Sequence, residues 1–265
     1  MWRRPPPVAA LSGSSSDEKP RGGGDALPAR RRAPRAGGNA PPFIEVFSGS
    51  GNLACAFNAI GSKTFEVDLC RGQDLTLSSM QDTIRQAVWR SCRQVYLHFA
   101  PPCATYSMAR YPKIRSRDHP RGLPARQLST KDKEVLRRAN RVTDCALKLM
   151  TEFSLEGHLV SIEQPAGSLL FKDPGFLKWA SRSGAVPTVV DYCMYGMPYR
   201  KRTALWGPPS LGLSQLARRC PGVSSKHKRP KTLSGWGQKK KCLATWKGCA
   251  AYPPQLCQAL AGLFA

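Results

Sequence analysis

The chain has 265 residues and carries 41 lysines and arginines against 17 aspartates and glutamates, a formal charge of +24. That length accommodates one sizeable α/β domain or two small ones, and the charge makes nucleic acid the default partner while saying nothing of sequence specificity. No apolar run long enough to span a membrane exists, and the opening MWRRPPPVAA lacks the apolar stretch of a secretory signal, so an intracellular, soluble protein is expected, with nuclear residence suggested by charge alone.

Residues 1–41 are dominated by Pro, Gly, Ser, Ala and Arg, which predicts a disordered basic arm able to touch phosphates or to act only as a linker. Order is expected to begin at Phe43, where PFIEVF reads as a short buried strand. A helix follows from Asn52 to Ile60, then strands Thr64 to Leu69 and Gln94 to Phe99 with a helix from Ser78 to Trp89 between them. The long polar connection Tyr106 to Ser129 has the length of a disordered segment or a functional lid. Beyond it come a helix from Thr130 to about Phe153, a strand from His158 to Glu163, a helix around Leu169 to Ser181, and strands Thr188 to Tyr192 and Arg202 to Trp206. The alternation predicts an α/β fold, a mostly parallel sheet with helices on both faces, over residues 42–206. Residues 207–265 form a basic segment with Trp236 and Trp246 among lysines and arginines, closed by the helix PPQLCQALAGLF packing back on the core. The ten cysteines contain no C-x-x-C pair and fall mostly in apolar stretches, which suits buried reduced thiols.

Four constellations carry chemistry. FSGSGN (Phe47 to Asn52) sits where the first strand meets the first helix, and its glycines allow a tight turn and close approach of a ligand to the helix N-terminus. Asp68 ends the second strand about twenty residues later, where a carboxylate can accept from ribose hydroxyls. FAPPCATYS places Cys103 on a proline-stiffened loop at the end of the third strand, as a rigid, partly exposed thiol. SIEQP places Glu163 at the exit of another strand, and YGMPYRKRTALW alternates Arg200 and Arg202 into a strand, so that both point to one side. Taken singly, the turn reads as punctuation, the cysteine as a core residue, the glutamate as a rim carboxylate and the arginines as a solvated edge. Their order gathers them on one rim of one sheet.

These pieces together resemble the cytosine-C5 DNA methyltransferase family, and more narrowly the methyltransferase-like domains encoded by some mobile genetic elements. FSGSGN resembles the family's cofactor loop, Asp68 its ribose-binding acid, Asp74 the acid that meets the adenine, PPC its nucleophile loop, Glu163-Gln164-Pro165 its Glu-Asn-Val motif, and YGMPYRKR its Tyr-Gly-x-Pro followed by Arg-x-Arg. The resemblance implies a Rossmann-like, class I methyltransferase fold and S-adenosylmethionine held by Phe47, Ser48, Gly49, Gly51, Asn52, Leu53, Asp68, Asp74 and Pro101. It further implies methyl transfer to cytosine C5 in DNA, or less readily RNA, with Cys103, Glu163, Arg200 and Arg202 in catalytic roles.

The chain departs from that pattern in reading Pro-Cys-Ala at the nucleophile, Gln-Pro after Glu163, and an Arg pair one residue closer to Pro198. Only about sixty residues follow Trp206, fewer than a full target-recognition domain needs. The alternative is therefore an inactive methyltransferase-like module that binds nucleic acid through its basic surface. A zinc set of Cys220, His227, Cys242 and Cys249 is a minor possibility with irregular spacing, and no metal is assigned.

Overall fold

The computed structural model describes residues 40–223 and 251–265. The arm up to residue 39 and the basic stretch with Trp236 and Trp246 lie outside them, as do His227, Cys242 and Cys249. Six strands form one sheet: β1 (Phe43–Val46), β2 (Thr64–Val67), β3 (Tyr96–Phe99), β4 (Leu159–Pro165), β5 (Val186–Asp191) and β6 (Arg202–Gly207), in the order β2-β1-β3-β4-β6-β5. The first four are mutually parallel, and β6 runs antiparallel between β4 and β5. Direction follows from the connections. The early strands are joined through helices, whereas β5 and β6 are linked by a short segment with one 3₁₀ turn, too short for a parallel crossover. The sheet order reverses between β1 and β3, which puts the ligand-binding crevice of such sheets at their carboxyl ends.

Helices α1 (Asn52–Ala59) and α5 (Pro254–Ala261) cover one face, and α2 (Ser78–Trp89), α3 (Thr130–Leu155) and α4 (Pro174–Ser183) cover the other. Strand alternation divides the core accordingly. Ile44, Val46, Leu97, Phe99, Val160 and Ile162 pack under α2 to α4, while Phe43 and Tyr96 pack with Phe57 and Phe264 on the α1/α5 side. The expected Rossmann-like α/β architecture is thus present, with the closing helix lying against α1.

Some boundaries move for local reasons. β1 stops at Val46 because Phe47 turns to a positive φ of 68°. The predicted helix from Leu169 splits into a 3₁₀ turn and α4, since Asp173 caps the amides of Gly175 and Phe176 and Pro174 occupies the first helical position. β5 begins earlier than predicted, and its Pro187 is tolerated because the strand lies at the sheet edge. Among the described cysteines all are free thiols, yet Cys55, Cys70 and Cys92 are exposed, so the expectation of general burial does not hold: Cys70 and Cys92 sit in surface turns, and Cys55 is on the outer side of α1.

The connection after β3 is ordered. Arg115, buried, stacks 3.8 Å above the Tyr106 ring and donates to the Pro120 carbonyl, Asn140 Oδ1 and Thr105 Oγ1. Arg121 pairs with Asp144 of α3 and with the buried Asp173. Each cation replaces hydration with fixed acceptors, which tethers the loop to α3 and α4.

The α1/α5 face carries an unusual polar row. Glu45, His98 and Ser161 are register neighbours on β1, β3 and β4, and all are fully buried. Burial pushes the His98 imidazole down to about 3, so it is neutral, and its nitrogens contact Ser161 Oγ at 2.7 Å and the Tyr252 hydroxyl at 2.8 Å. Glu45 Oε2 accepts from the Ala54 amide at 2.9 Å and so caps α1 from inside, because the N-cap residue Gly51 has no side chain to do it. Its other oxygen has no hydrogen-bond partner among the described residues, and burial raises its pKa from 4.5 to about 8.

A carboxyl whose pKa is higher folded than unfolded contributes most below its unfolded value and progressively less as pH rises toward the folded one. Between the two, retaining this group costs about 1.4 kcal/mol per pH unit. Glu45→Gln, which keeps an acceptor without the charge, is therefore expected to match the wild type near pH 4 and to exceed it in Tm with a growing gap up to pH 8. Parallel pH profiles for the two proteins in thermal melts would contradict the protonated burial of Glu45.

Candidate active site

The glycine turn is shaped by backbone constraint. Phe47, Gly49 and Gly51 have φ of 68°, 51° and 69°, and a Cβ on Gly51 would lie 2.5 Å from Glu66 Oε2. Glycine at 51 is needed for its left-handed conformation, while the Glu66 carboxylate lies close above it. Phe47, which lacks glycine's freedom, holds a left-handed conformation that costs energy and that structures retain most often near ligand sites.

Asp68 follows β2 and faces the turn. Its two oxygens accept from the Gly49 amide at 2.9 Å and the Cys70 amide at 2.8 Å. Burial alone would raise its pKa, but these bonds from Cys70 and Gly49, with the nearby Arg71, hold the carboxyl below its usual value. Asp74 is likewise held low, by hydrogen bonds from the Thr76 amide and hydroxyl. Although only six positions apart, both acids line one cleft of about 200 Å³, because a 3₁₀ turn at Leu69–Arg71 folds the chain back. Phe47, Leu75, Ala100, Pro102 and Val142 complete its apolar walls.

Not every predicted cofactor contact faces that cleft. Ser48 is buried in the turn and its hydroxyl has no hydrogen-bond partner among the described residues. Asn52 donates from its side-chain amide to the Tyr252 carbonyl at 3.1 Å, Leu53 is buried in the α1/α5 core, and the Pro101 carbonyl accepts from Gln164 Nε2. Asn52 and Leu53 turn away because the first turn of α1 faces the returning C-terminal segment, and Pro101 because its carbonyl is held by Gln164 of β4. It is Pro102 that meets the cleft.

On the other side of the nucleophile loop stand Cys103, Glu163 and Lys201. Lys201 Nζ lies 3.6 Å from Glu163 Oε1 and 4.9 Å from the centre of the Tyr192 ring. The Cys103 thiol is raised chiefly by burial and further by Glu163, while Lys201 opposes them. Burial by itself would lower the Lys201 ammonium, but Glu163, Tyr192 and Cys103 hold it above the ordinary lysine value. A thiol, a carboxylate and an ammonium thus lie within electrostatic reach of one another in a largely buried setting. Glu163 Oε1 makes no hydrogen bond among the described residues and is the oxygen that faces the Lys201 ammonium.

Gln164 sets the distance between these groups. Through its Nε2 it grips the Pro101 carbonyl, and its Oε1 accepts from Ser168 Oγ at 3.0 Å, so a fully buried amide locks the nucleophile loop to the end of β4.

The expectation for the arginines is corrected. Arg202 donates twice to Asp191 of β5, at 3.0 and 3.2 Å, a bidentate pair that draws it away from Cys103, and Arg200 is exposed ahead of β6. The cation at the pocket is Lys201 between them. Its signal was present as an alternation of Tyr199, Lys201, Thr203 and Leu205, whose odd positions turn inward. Tyr252 was equally missed, since a tyrosine before a closing helix gives no local sign of a bond to a histidine 154 positions away. The Cys193 and Cys220 thiols adjoin one another, the remaining zinc candidates lie outside the described residues, and no group of three or more metal-ligating side chains occurs among the described ones.

No protein-family model matches the chain, and no curated protein matches it. Among solved structures its fold is similar to that of the Entamoeba histolytica methyltransferase EhMeth, at 12% identity and a TM-score of 0.37, over 72% of this chain and 57% of that one. The chain therefore spans less than two thirds of the length of that structure. The sheet order, with its antiparallel strand inserted before the edge, is that of a Rossmann-like α/β fold. No helix among the described residues is long and apolar enough to cross a membrane.

The opposed influences on Cys103 give a direct test. Lys201→Met is expected to slow carbamidomethylation of Cys103 at pH 8 and Glu163→Gln to speed it, because the ammonium favours the thiolate and the carboxylate opposes it. Peptide mass spectrometry resolves this thiol from the others. Equal rates in the three proteins would mean that the groups do not act on one another.

Proposed function

We propose that the chain transfers the methyl group of S-adenosylmethionine to carbon 5 of a cytosine in nucleic acid, DNA in preference to RNA, through a covalent bond between Cys103 and the base. One observation carries this reading. Cys103 lies within electrostatic reach of the Glu163–Lys201 ion pair, while the adjacent Pro102 walls the cleft lined by Phe47, Asp68 and Asp74. A nucleophile and an acceptor-lined cleft back to back are what a transfer between two bound partners requires.

The cleft residues fit the cofactor. Two carboxylates can accept from ribose hydroxyls and an adenine amine, and the apolar walls suit a flat ring. About 200 Å³ suffices for the nucleoside end, with the remainder lying along the glycine turn. Bound there, S-adenosylmethionine supplies an electrophilic methyl that carbon 5 accepts.

The chain's own residues prepare carbon 5 for it. Cys103 gives up its proton to water and its sulfur bonds to carbon 6 of the ring, the carbon 5–carbon 6 π pair shifting toward carbon 5. Glu163 meets the N3 and exocyclic amine edge, and Lys201, ion-paired to it at 3.6 Å, keeps that carboxylate in place and favours the thiolate. Once carbon 5 is methylated, its proton passes to a base and the carbon–sulfur bond breaks, restoring the aromatic ring and the Cys103 thiolate. The target atom is inaccessible in a stacked duplex, so the nucleotide is unpaired or flipped. Arg200, exposed at the rim, is placed for a phosphate rather than for the base.

A second reading, a methyltransferase-like fold that binds nucleic acid without turnover, is favoured by the raised pKa of Cys103, since a largely buried protonated thiol is a poor nucleophile. One experiment separates the two. An oligonucleotide containing 5-fluorocytosine, incubated with the protein and S-adenosylmethionine, is expected to form a denaturation-resistant adduct that maps to Cys103 and is absent in Cys103→Ser. Identical, background-level trapping in both proteins would leave only the binding reading.

A further inference from the structure

The region immediately after the nucleophile is far more basic than its surroundings. Residues 104–141 contain eleven lysines and arginines against three acids, Asp118, Asp132 and Glu134. The remainder of α3, up to Leu155, has only Lys148 against Asp144 and Glu152. Charge is therefore concentrated on the half of α3 next to the connection from Cys103 and is not a general property of the helix.

Within that region the cations have two fates. Arg110, Arg115 and Arg121 are spent on internal structure, held by Asp132, by Asn140 with the Tyr106 ring, and by Asp144 with Asp173. Lys133, Arg137, Arg138 and Arg141 are exposed on α3. Of these only Arg137 has a carboxylate within 4 Å among the described residues, Glu134 at 2.6 Å. Lys133, Arg137 and Arg141 follow one another at four-residue intervals and so form a stripe along one helix face, about 6 Å apart. A charged helix face that merely solvates the protein usually intersperses both signs at such spacings.

The stripe also has a definite position. The Arg141 guanidinium donates to the Thr76 carbonyl at 3.3 Å, which directs it over the segment holding Asp74, and both Arg141 and Arg138 contribute to holding the Asp74 carboxyl low. Val142, the next residue, lines the cleft together with Pro102, the neighbour of Cys103. The basic face of α3 thus runs past the mouth of the cleft whose opposite wall supports the nucleophile.

We infer that the exposed face of α3 formed by Lys133, Arg137, Arg138 and Arg141 is a phosphate-binding track that holds the nucleic-acid backbone beside Cys103. This inference rests on nucleic acid being the substrate, and it places part of the phosphate contact on the folded core instead of on the basic stretches at 1–41 and 207–265. Such a track supplies non-specific affinity and position, leaving base choice to the pocket.

The test uses the full chain and fluorescein-labelled single-stranded DNA and RNA of the same sequence, with affinity measured by anisotropy between about 50 and 200 mM salt. Neutralising Lys133, Arg137 and Arg141 together to glutamine is expected to weaken binding at least tenfold at the lower salt. It should also reduce the slope of log affinity against log salt by about 2, since each contact to a single strand contributes about 0.7. A control of equal charge change at exposed sites away from the stripe, Lys63→Gln with Arg90→Gln and Lys178→Gln, is expected to leave the slope unchanged. Circular dichroism verifies that both triple variants remain folded. A slope unaltered in the α3 variant, or lowered equally in the control, overturns the track. A preference between DNA and RNA in the wild type identifies the source of the phosphates. The outcome is independent of turnover: a Cys103 adduct with no change in slope refutes only the track, and a changed slope without an adduct refutes only the methyl transfer.

Discussion

A thiol that must ionise and a carboxylate cannot share a low-dielectric pocket unless a cation sits with them, and in this chain that cation is Lys201. With Glu163 alone beside it, Cys103 would be held more firmly protonated by like-charge repulsion added to burial. Without Glu163, the Lys201 ammonium would bear its desolvation against weaker opposition. Each group is tolerable only because the other two are present. Since electrostatic interactions in such a pocket fall off steeply with any gain of water, the spacing of the three loops matters as much as their residue types. Gln164 fixes one of those spacings, and the pairing of β6 with β4 fixes another by bringing the residue before Arg202 alongside the end of β4.

Much of the architecture was legible because it depends on local pattern. Alternating apolar strands and helices with recognisable caps, such as Ser129 before α3 and Asp173 before α4, specify elements almost independently of one another. The carboxyl-end rim followed from the chain order of those elements. The failures share a different cause. Whether Arg202 or Lys201 enters the pocket is decided by Asp191 on a neighbouring strand, and whether Asn52 faces a ligand or the protein is decided by Tyr252, two hundred residues away. Side-chain direction at a strand entrance or a helix start is a tertiary property, and a motif that names residue types does not encode it. Asp74 shows the converse: an awkward spacing in sequence became a shared cleft once a single 3₁₀ turn reversed the chain.

The buried row on the other side of the sheet explains why the C-terminal segment belongs to the site and is not an appendage. Glu45 and the Asn52 amide both address the first turn of α1, one from the strand below and one from the Tyr252 carbonyl beside it. The Tyr252 hydroxyl closes on His98, whose neutral imidazole continues through Ser161 to the Tyr96 hydroxyl. Removing any member leaves a buried donor or acceptor unpaired, a larger loss than the bond itself contributes. The turn that shapes the cleft is therefore braced by residues from both ends of the fold.

That bracing carries a cost which favours a functional origin. Glu45 is burdened by desolvation and Phe47 by a left-handed backbone, yet an ordinary Asp, Ser or Thr N-cap with an unstrained turn would secure α1 without either. What such a side-chain cap would do, however, is occupy the space above the helix N-terminus and turn its first amides inward. Capping from beneath, through a carboxyl on β1, leaves the upper side of the turn to backbone alone. The left-handed Phe47 and the buried carboxyl of Glu45 thereby fall where the sheet order reverses, while α3 and α4 keep side-chain caps from Ser129 and Asp173, as expected when a fold gives up local stability to keep a binding surface open.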